Sequence, residues 1–200
     1  MGITQSIAYA LQSLGRAVPD IDTLTAWIGP PIQDSFADLF AGEDASLVDL
    51  AVAKFRERFA TIGIYENSVY DGVPLSLEQL SARGATLILA TSKPQPFADR
   101  ILEHFSLRQY FSAVYGSTFG GALSNKADLI AHILAERGLA GSSAVMVGDR
   151  KYDVLGAAKS RVPCVGVLYG YGSREELLEA GAAALCEHPC DLVALLDSIQ

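Results

Sequence analysis

A short, continuous apolar run, Thr86-Leu87-Ile88-Leu89-Ala90, interrupts a chain patterned for helices up to that point. A run of this length and uniformity predicts a strand buried on both faces, as in a parallel sheet. The pattern then repeats. Weak or short apolar runs at Ala113–Tyr115, Ala144–Val147, Cys164–Leu168 and Ala184–Cys186 alternate with helical stretches at about Pro96–Phe105, Lys126–Arg137, Tyr152–Ser160, Arg174–Ala180 and Asp191–Ser198. A helix over about Leu75–Arg83, ended by Gly84, precedes the first run. Strands alternating with helices predict an α/β fold, a parallel sheet covered by helices.

The first 69 residues contain no strand pattern. Ile3, Ile7, Ala10, Leu11 and Leu14 recur at helical spacing before Gly15 stops the run. Further helices are expected over Asp22–Ile28, ended by Gly29-Pro30-Pro31, over Ile32–Phe40, and over Ser46–Thr61 with Leu47, Leu50, Ala51, Phe55 and Phe59 on one face. The expected organisation is an all-helical domain over 1–69 and an α/β domain over 70–200.

Composition excludes several classes. Half of the 200 residues are hydrophobic and 19% are charged, so the chain can build a core. A net charge of −8 disfavours nucleic-acid partners, which need cations to neutralise phosphates. No apolar run is long enough for a membrane span, so no membrane partner is expected. Met1-Gly2-Ile3-Thr4-Gln5-Ser6 lacks a secretory pattern and fits a myristoylation pattern only loosely. Three late cysteines form no disulfide framework, and a reducing, cytoplasmic setting is expected.

In open α/β sheets, ligands bind beyond the carboxyl ends of the strands. Three such ends carry suitable polar groups. The first is Thr91-Ser92-Lys93-Pro94, whose hydroxyls and N–H groups suit an anionic oxygen or a helix cap. The second is Lys126, a cation at a helix start, where the dipole disfavours it. The third is Gly148-Asp149-Arg150-Lys151-Tyr152-Asp153, whose two carboxylates suit a hard cation such as Mg2+ or helix capping.

Taken in order, Thr91, Lys126 and Asp149/Asp153 resemble the second, third and fourth motifs of the haloacid dehalogenase-like hydrolase superfamily. Ile28-Gly29-Pro30-Pro31, Val69-Tyr70-Asp71-Gly72-Val73, Ala90-Thr91-Ser92-Lys93-Pro94 and Leu168-Tyr169-Gly170-Tyr171-Gly172 look like its phosphoglycolate phosphatase-like branch, which includes 5′-nucleotidases. The resemblance spans essentially the whole chain. It implies a Rossmann-like core, a helical cap and Mg2+-dependent hydrolysis of a small phosphorylated metabolite. In that reading Thr91 and Ser92 hold phosphoryl oxygens and Lys126 neutralises developing charge. Asp149 ligates Mg2+, and Asp153 orients metal waters or Lys126. Gly29-Pro30-Pro31 helps read the leaving group or is a rigid helix stop.

The superfamily's first motif, an apolar strand followed by Asp-x-Asp-Gly-Thr, has no match. Its first Asp is the nucleophile that forms an aspartyl phosphate. Asp20-Ile21-Asp22 follows no apolar strand and is expected to be a loop whose Asp20 or Asp22 caps a helix. The resemblance places the missing strand between those preceding Thr91 and Asp149. Losing about five buried apolar side chains costs on the order of 7–15 kcal/mol, against a whole-domain stability of about 5–15 kcal/mol. The reading is therefore of a truncated enzyme, short by about 15–20 residues, a strand with its loops, and inactive as given. The alternative is a non-catalytic binder of phosphorylated ligands and Mg2+. Three weaker patterns point elsewhere. Gly170-Tyr171-Gly172 is an incomplete dinucleotide fingerprint. Cys186-Glu187-His188-Pro189-Cys190 lacks a fourth zinc ligand. Arg150, Lys151 and Arg174 are anion contacts or surface charges.

Overall fold

Apolar residues at helical spacing put four α-helices into the first 68 residues: α1 (Gly2–Ser13), α2 (Ile21–Ala26), α3 (Ile32–Leu39) and α4 (Ser46–Phe59). The computed structural model describes residues 1–199. It divides into two compact units, Met1–Ser68 and Val69–Gln200. In the first unit α1 packs on α4, burying Ile7, Ala10 and Leu11 of α1 with Ala51, Val52, Phe55 and Phe59 of α4. Phe36 of α3 is fully enclosed, edge-on to Trp27 and stacked on Phe40. Burying these side chains drives the unit to fold. The face of α4 departs from the expected one: Leu50 stands 47% exposed, and Val52 takes its place in the core. Helical spacing tolerates either neighbour of Ala51, and packing against α1 selects Val52. Asp20 caps α2, its Oδ1 accepting the Thr23 N–H at 2.8 Å.

The second unit alternates α5 (Val73–Ala82), β1 (Ile88–Pro94), α6 (Gln95–His104), β2 (Ala113–Ser117), α7 (Lys126–Arg137), β3 (Met146–Gly148), α8 (Lys151–Lys159), β4 (Cys164–Val167), α9 (Arg174–Glu179), β5 (Ala184–Cys186) and α10 (Leu192–Asp197). All strand pairs are parallel. They form two sheets, β1-β2 and β3-β4-β5. Helices cover both faces, as parallel strands require. Around β4 and β5, Leu80, Leu192 and Val193 pack on one side, with Val154, Ala157 and Leu177 on the other.

Two expectations need correction. The first strand does not end at Ala90. It continues through Thr91, opposite Gly116, to Pro94 opposite Ser117, with a register shift between them. Nor is it fully buried: Leu89 packs on one side and Ile88 and Ala90 on the other, yet every residue of β1 and of β3 is only half-buried. Among the described residues no strand pairs with β1 on its side away from β2, or with β3 on its side away from β4. Strands that would be interior in a continuous sheet are therefore edges. No described helix is long and apolar enough to cross a membrane.

Candidate functional site

The expected residues lie within β1 and just after β3, and two helices tie them together. Lys126 is the first residue of α7, whose start is fixed by Asn125: its Oδ1 accepts the N–H groups of Ala127 and Asp128 at 2.9 and 3.4 Å. From there the Lys126 Nζ donates to the Ala90 carbonyl of β1 at 2.9 Å and pairs with Asp153 Oδ1 of α8 at 2.9 Å. Both side chains of the pair are about nine-tenths enclosed, at 12% and 10% exposure. The other oxygen of Asp153, Oδ2, accepts the Arg150 N–H at 3.1 Å and so closes the first turn of α8. One carboxylate thus caps its own helix and holds the lysine, two of the roles open to it from sequence.

Thr91 and Ser92 lie half-buried in β1. The Thr91 hydroxyl accepts the Lys93 N–H at 3.2 Å, and the Ser92 carbonyl accepts the Ser117 hydroxyl at 2.8 Å. These contacts fix the backbone beyond Ala90, where an anionic oxygen would be met. Burial pushes the Lys93 ammonium down to about 8.

Asp149 follows β3. Its Oδ2 accepts the Tyr171 N–H at 2.9 Å, and its carbonyl accepts the Gly172 N–H at 2.9 Å. Burial raises its carboxyl above the usual range and the nearby Asp153 adds to this, while the Tyr171 N–H and Arg150 oppose it. A desolvated carboxylate just after a strand suits a hard divalent ion. Among the described residues there is no cluster of three or more His, Cys, Asp or Glu able to hold a metal.

Sequence reasoning missed Glu176, on the first turn of α9. Its Oε1 accepts the Arg150 Nε at 2.9 Å and the Lys151 N–H at 2.8 Å. Arg150 is therefore committed to an ion pair 11% and 23% exposed on its two sides. Arg174 pairs with Glu187 at the surface. Tyr70 and Tyr169 meet edge to face at 5.5 Å. Burial, with Cys186, Asp149 and Tyr70 nearby, pushes the Tyr169 phenol up to about 12. Gly29-Pro30-Pro31 lies in the first unit and leads into α3, with Pro31 as its N-cap. Cys186 is buried and Cys190 exposed, so the two thiols of that run sit in different surroundings. A pocket of 740 Å3 flanks β2, lined by residues that include Arg108, Ser117 and Arg137. None of Thr91, Ser92, Lys126, Asp149 or Asp153 lines it.

This ordered constellation can be set beside known proteins. Residues 1–167 match the model of the haloacid dehalogenase-like hydrolase family. A 5′-nucleotidase of Pseudomonas aeruginosa is 44% identical over 199 residues, which cover 100% of this chain and 88% of that protein. The tyrosine-protein kinase PtkA of Mycobacterium tuberculosis is 34% identical over 198 residues, 99% of this chain and 67% of that protein. A phosphoglycolate phosphatase of Agrobacterium fabrum is 30% identical over 176 residues, 84% and 74% of the two. The crystal structure of a protein described as a predicted phosphatase, from Clostridium acetobutylicum, superposes with a TM-score of 0.93 at 39% identity, covering 98% of this chain and 91% of that one. With the family model spanning both units and relatives matching nearly end to end, the chain belongs to the haloacid dehalogenase-like hydrolases.

Proposed function

We propose that the chain carries the phosphate- and Mg2+-binding machinery of a phosphomonoester hydrolase for a small phosphorylated metabolite, such as phosphoglycolate or a nucleoside 5′-monophosphate. One observation carries the reading: Lys126 joins Ala90 of β1 to Asp153 of α8 through two 2.9 Å contacts. This sets a cation among Thr91, Ser92 and the acidic turn at the strand ends. The similarity to proteins described as a 5′-nucleotidase and a phosphoglycolate phosphatase supports the substrate class.

In this reading Thr91 and Ser92 orient the phosphoryl oxygens through hydroxyl and backbone N–H donors. Lys126 balances the charge that develops on them, held in place by Asp153. Asp149 would hold Mg2+, which supplies charge neutralisation at the phosphoryl group. The helical unit serves as a cap that limits access of water. The aspartyl nucleophile implied by the family has no counterpart after an apolar strand in these 200 residues. The chain as given is therefore expected to bind without turning over.

The test compares two proteins. The 200-residue chain, given Mg2+ with phosphoglycolate or a nucleoside 5′-monophosphate, should release almost no inorganic phosphate. Extended by an apolar strand ending in Asp-x-Asp-Gly-Thr, it should release phosphate in a Mg2+-dependent reaction, and Asp149→Asn should abolish that release. Unchanged kcat/KM in the Asp149→Asn enzyme overturns the assignment. Normal turnover by the unextended chain places the nucleophile on another carboxylate. The alternative, a non-catalytic binder, predicts ligand binding without turnover even after extension.

A further inference from the structure

The Gly170-Tyr171-Gly172 run makes no dinucleotide fingerprint, yet its glycines are not idle. Neither has the positive φ that would demand glycine for backbone reasons. What demands it is space. A Cβ on Gly170 would lie 2.2 Å from the Asp149 Cβ and 2.5 Å from its Oδ2. A Cβ on Gly172 would lie 2.1 Å from the Asp149 carbonyl oxygen. Because both glycines let the backbone come this close, two N–H groups reach the aspartate: Tyr171 to Oδ2 and Gly172 to the carbonyl, each at 2.9 Å. The Tyr171 side chain is 48% exposed, so its contribution here is its backbone N–H. One turn later Glu176 Oε1 takes the Arg150 Nε and the Lys151 N–H. Three consecutive residues, 149 to 151, are thereby gripped from one loop and one helical turn.

We infer that residues 170–176 form a positioning clasp, in which Gly170, the Tyr171 N–H, Gly172 and Glu176 set the Asp149 carboxylate for a divalent cation. This rests on the reading of Asp149 as a metal ligand. The Tyr171 N–H bond to Oδ2 ties the carboxylate to this loop. Partners that orient a metal ligand in this way typically change affinity by about 10–100-fold when removed. The clasp makes Gly170, Gly172 and Glu176 positioning residues, not ligands.

The experiment is a titration of the folded, metal-free chain with Mn2+, followed by the loss of the free-ion paramagnetic resonance signal, and with Mg2+ by calorimetry. Thermal midpoints are recorded on the same samples without metal. Glu176→Ala and Gly170→Ala are expected to weaken cation binding by about 10-fold or more. Glu176→Gln keeps an acceptor at Oε1 and should retain most of the affinity. Tyr171→Ala keeps the N–H and should bind as the parent does. If Gly170→Ala fails to fold, the contrast between Glu176→Ala and Glu176→Gln decides alone. Parent-like binding by Glu176→Ala overturns the clasp while leaving Asp149 as a ligand. So does a loss of affinity that simply follows the thermal midpoint through all the variants. Failure of the parent chain to bind either cation overturns the metal reading and the clasp with it.

Discussion

Replacing Lys126 by Met should destabilise the second unit more than any surface charge change. The methionine keeps the stem that packs between α7 and α8 but removes the ammonium. Asp153, 7% exposed, then loses the ammonium that faces it, and the Ala90 carbonyl loses its donor. Deleting one partner of a buried pair costs about 3–5 kcal/mol, chiefly because the other charge stays desolvated. With a urea dependence of about 2 kcal/mol/M, the unfolding midpoint should fall by about 1.5–2.5 M. Asp153→Asn in the same background removes the stranded charge, so the double variant should be more stable than the sum of the single losses by about 1–3 kcal/mol. Arg83→Met serves as the contrast. Its pair with Asp197 is 53% and 60% exposed, and its loss should cost no more than about 1 kcal/mol. Urea unfolding followed by far-ultraviolet circular dichroism measures all four proteins. A Lys126→Met cost below about 1 kcal/mol, additive with Asp153→Asn, would refute the claim that this pair joins β1 to α8.

Three further outcomes follow from the same geometry. Burial raises the Asp149 carboxyl, so its favourable contribution is present at acid pH and is lost as pH rises through the folded-state value. Asp149→Asn, whose amide oxygen can still accept the Tyr171 N–H, should therefore raise the metal-free thermal midpoint at pH 7.5 and change it less at pH 4. An equal or lower midpoint at pH 7.5 would count against desolvation as the cause. Cys190 is exposed, whereas burial pushes Cys164 up to about 12 and also raises Cys186. Native protein should show one fast thiol toward Ellman's reagent and three in denaturant, and mass spectrometry should place the fast one at Cys190. Phe36→Ala should cost about 3–5 kcal/mol by opening a cavity at a fully buried ring. Fluorescence of Trp27, which touches that ring at 5.7 Å between centroids, should report it, and a cost under 1 kcal/mol would show that the site collapses around the gap.

What was readable from sequence divides by range. Helix α7 was legible to the residue because its signals are local: Asn125 caps the start, and Gly138 ends it in the left-handed conformation at φ 64°. Strand β1 was legible as a strand but not in its extent. Apolar patterning stops at Ala90, whereas parallel pairing with β2 runs on to Pro94 across a register shift that no pattern of hydrophobicity encodes. Both faces of β1 are packed, but its residues are only half-buried. A uniformly apolar run promises neighbours on each side, and here the sheet is divided between β1 and β3. Lys126 and Asp153 are 27 positions apart and meet only because α7 packs on α8, so spacing alone could not pair them; the family resemblance did. The contacts of Asp149 were the least legible. They are made by backbone N–H groups, and every residue but proline has one. The signal was present in Gly170 and Gly172, but glycine marks close approach without naming what approaches. A glycine with ordinary φ, at the end of a strand and facing an acidic turn, is thus worth reading as room left for another residue's side chain.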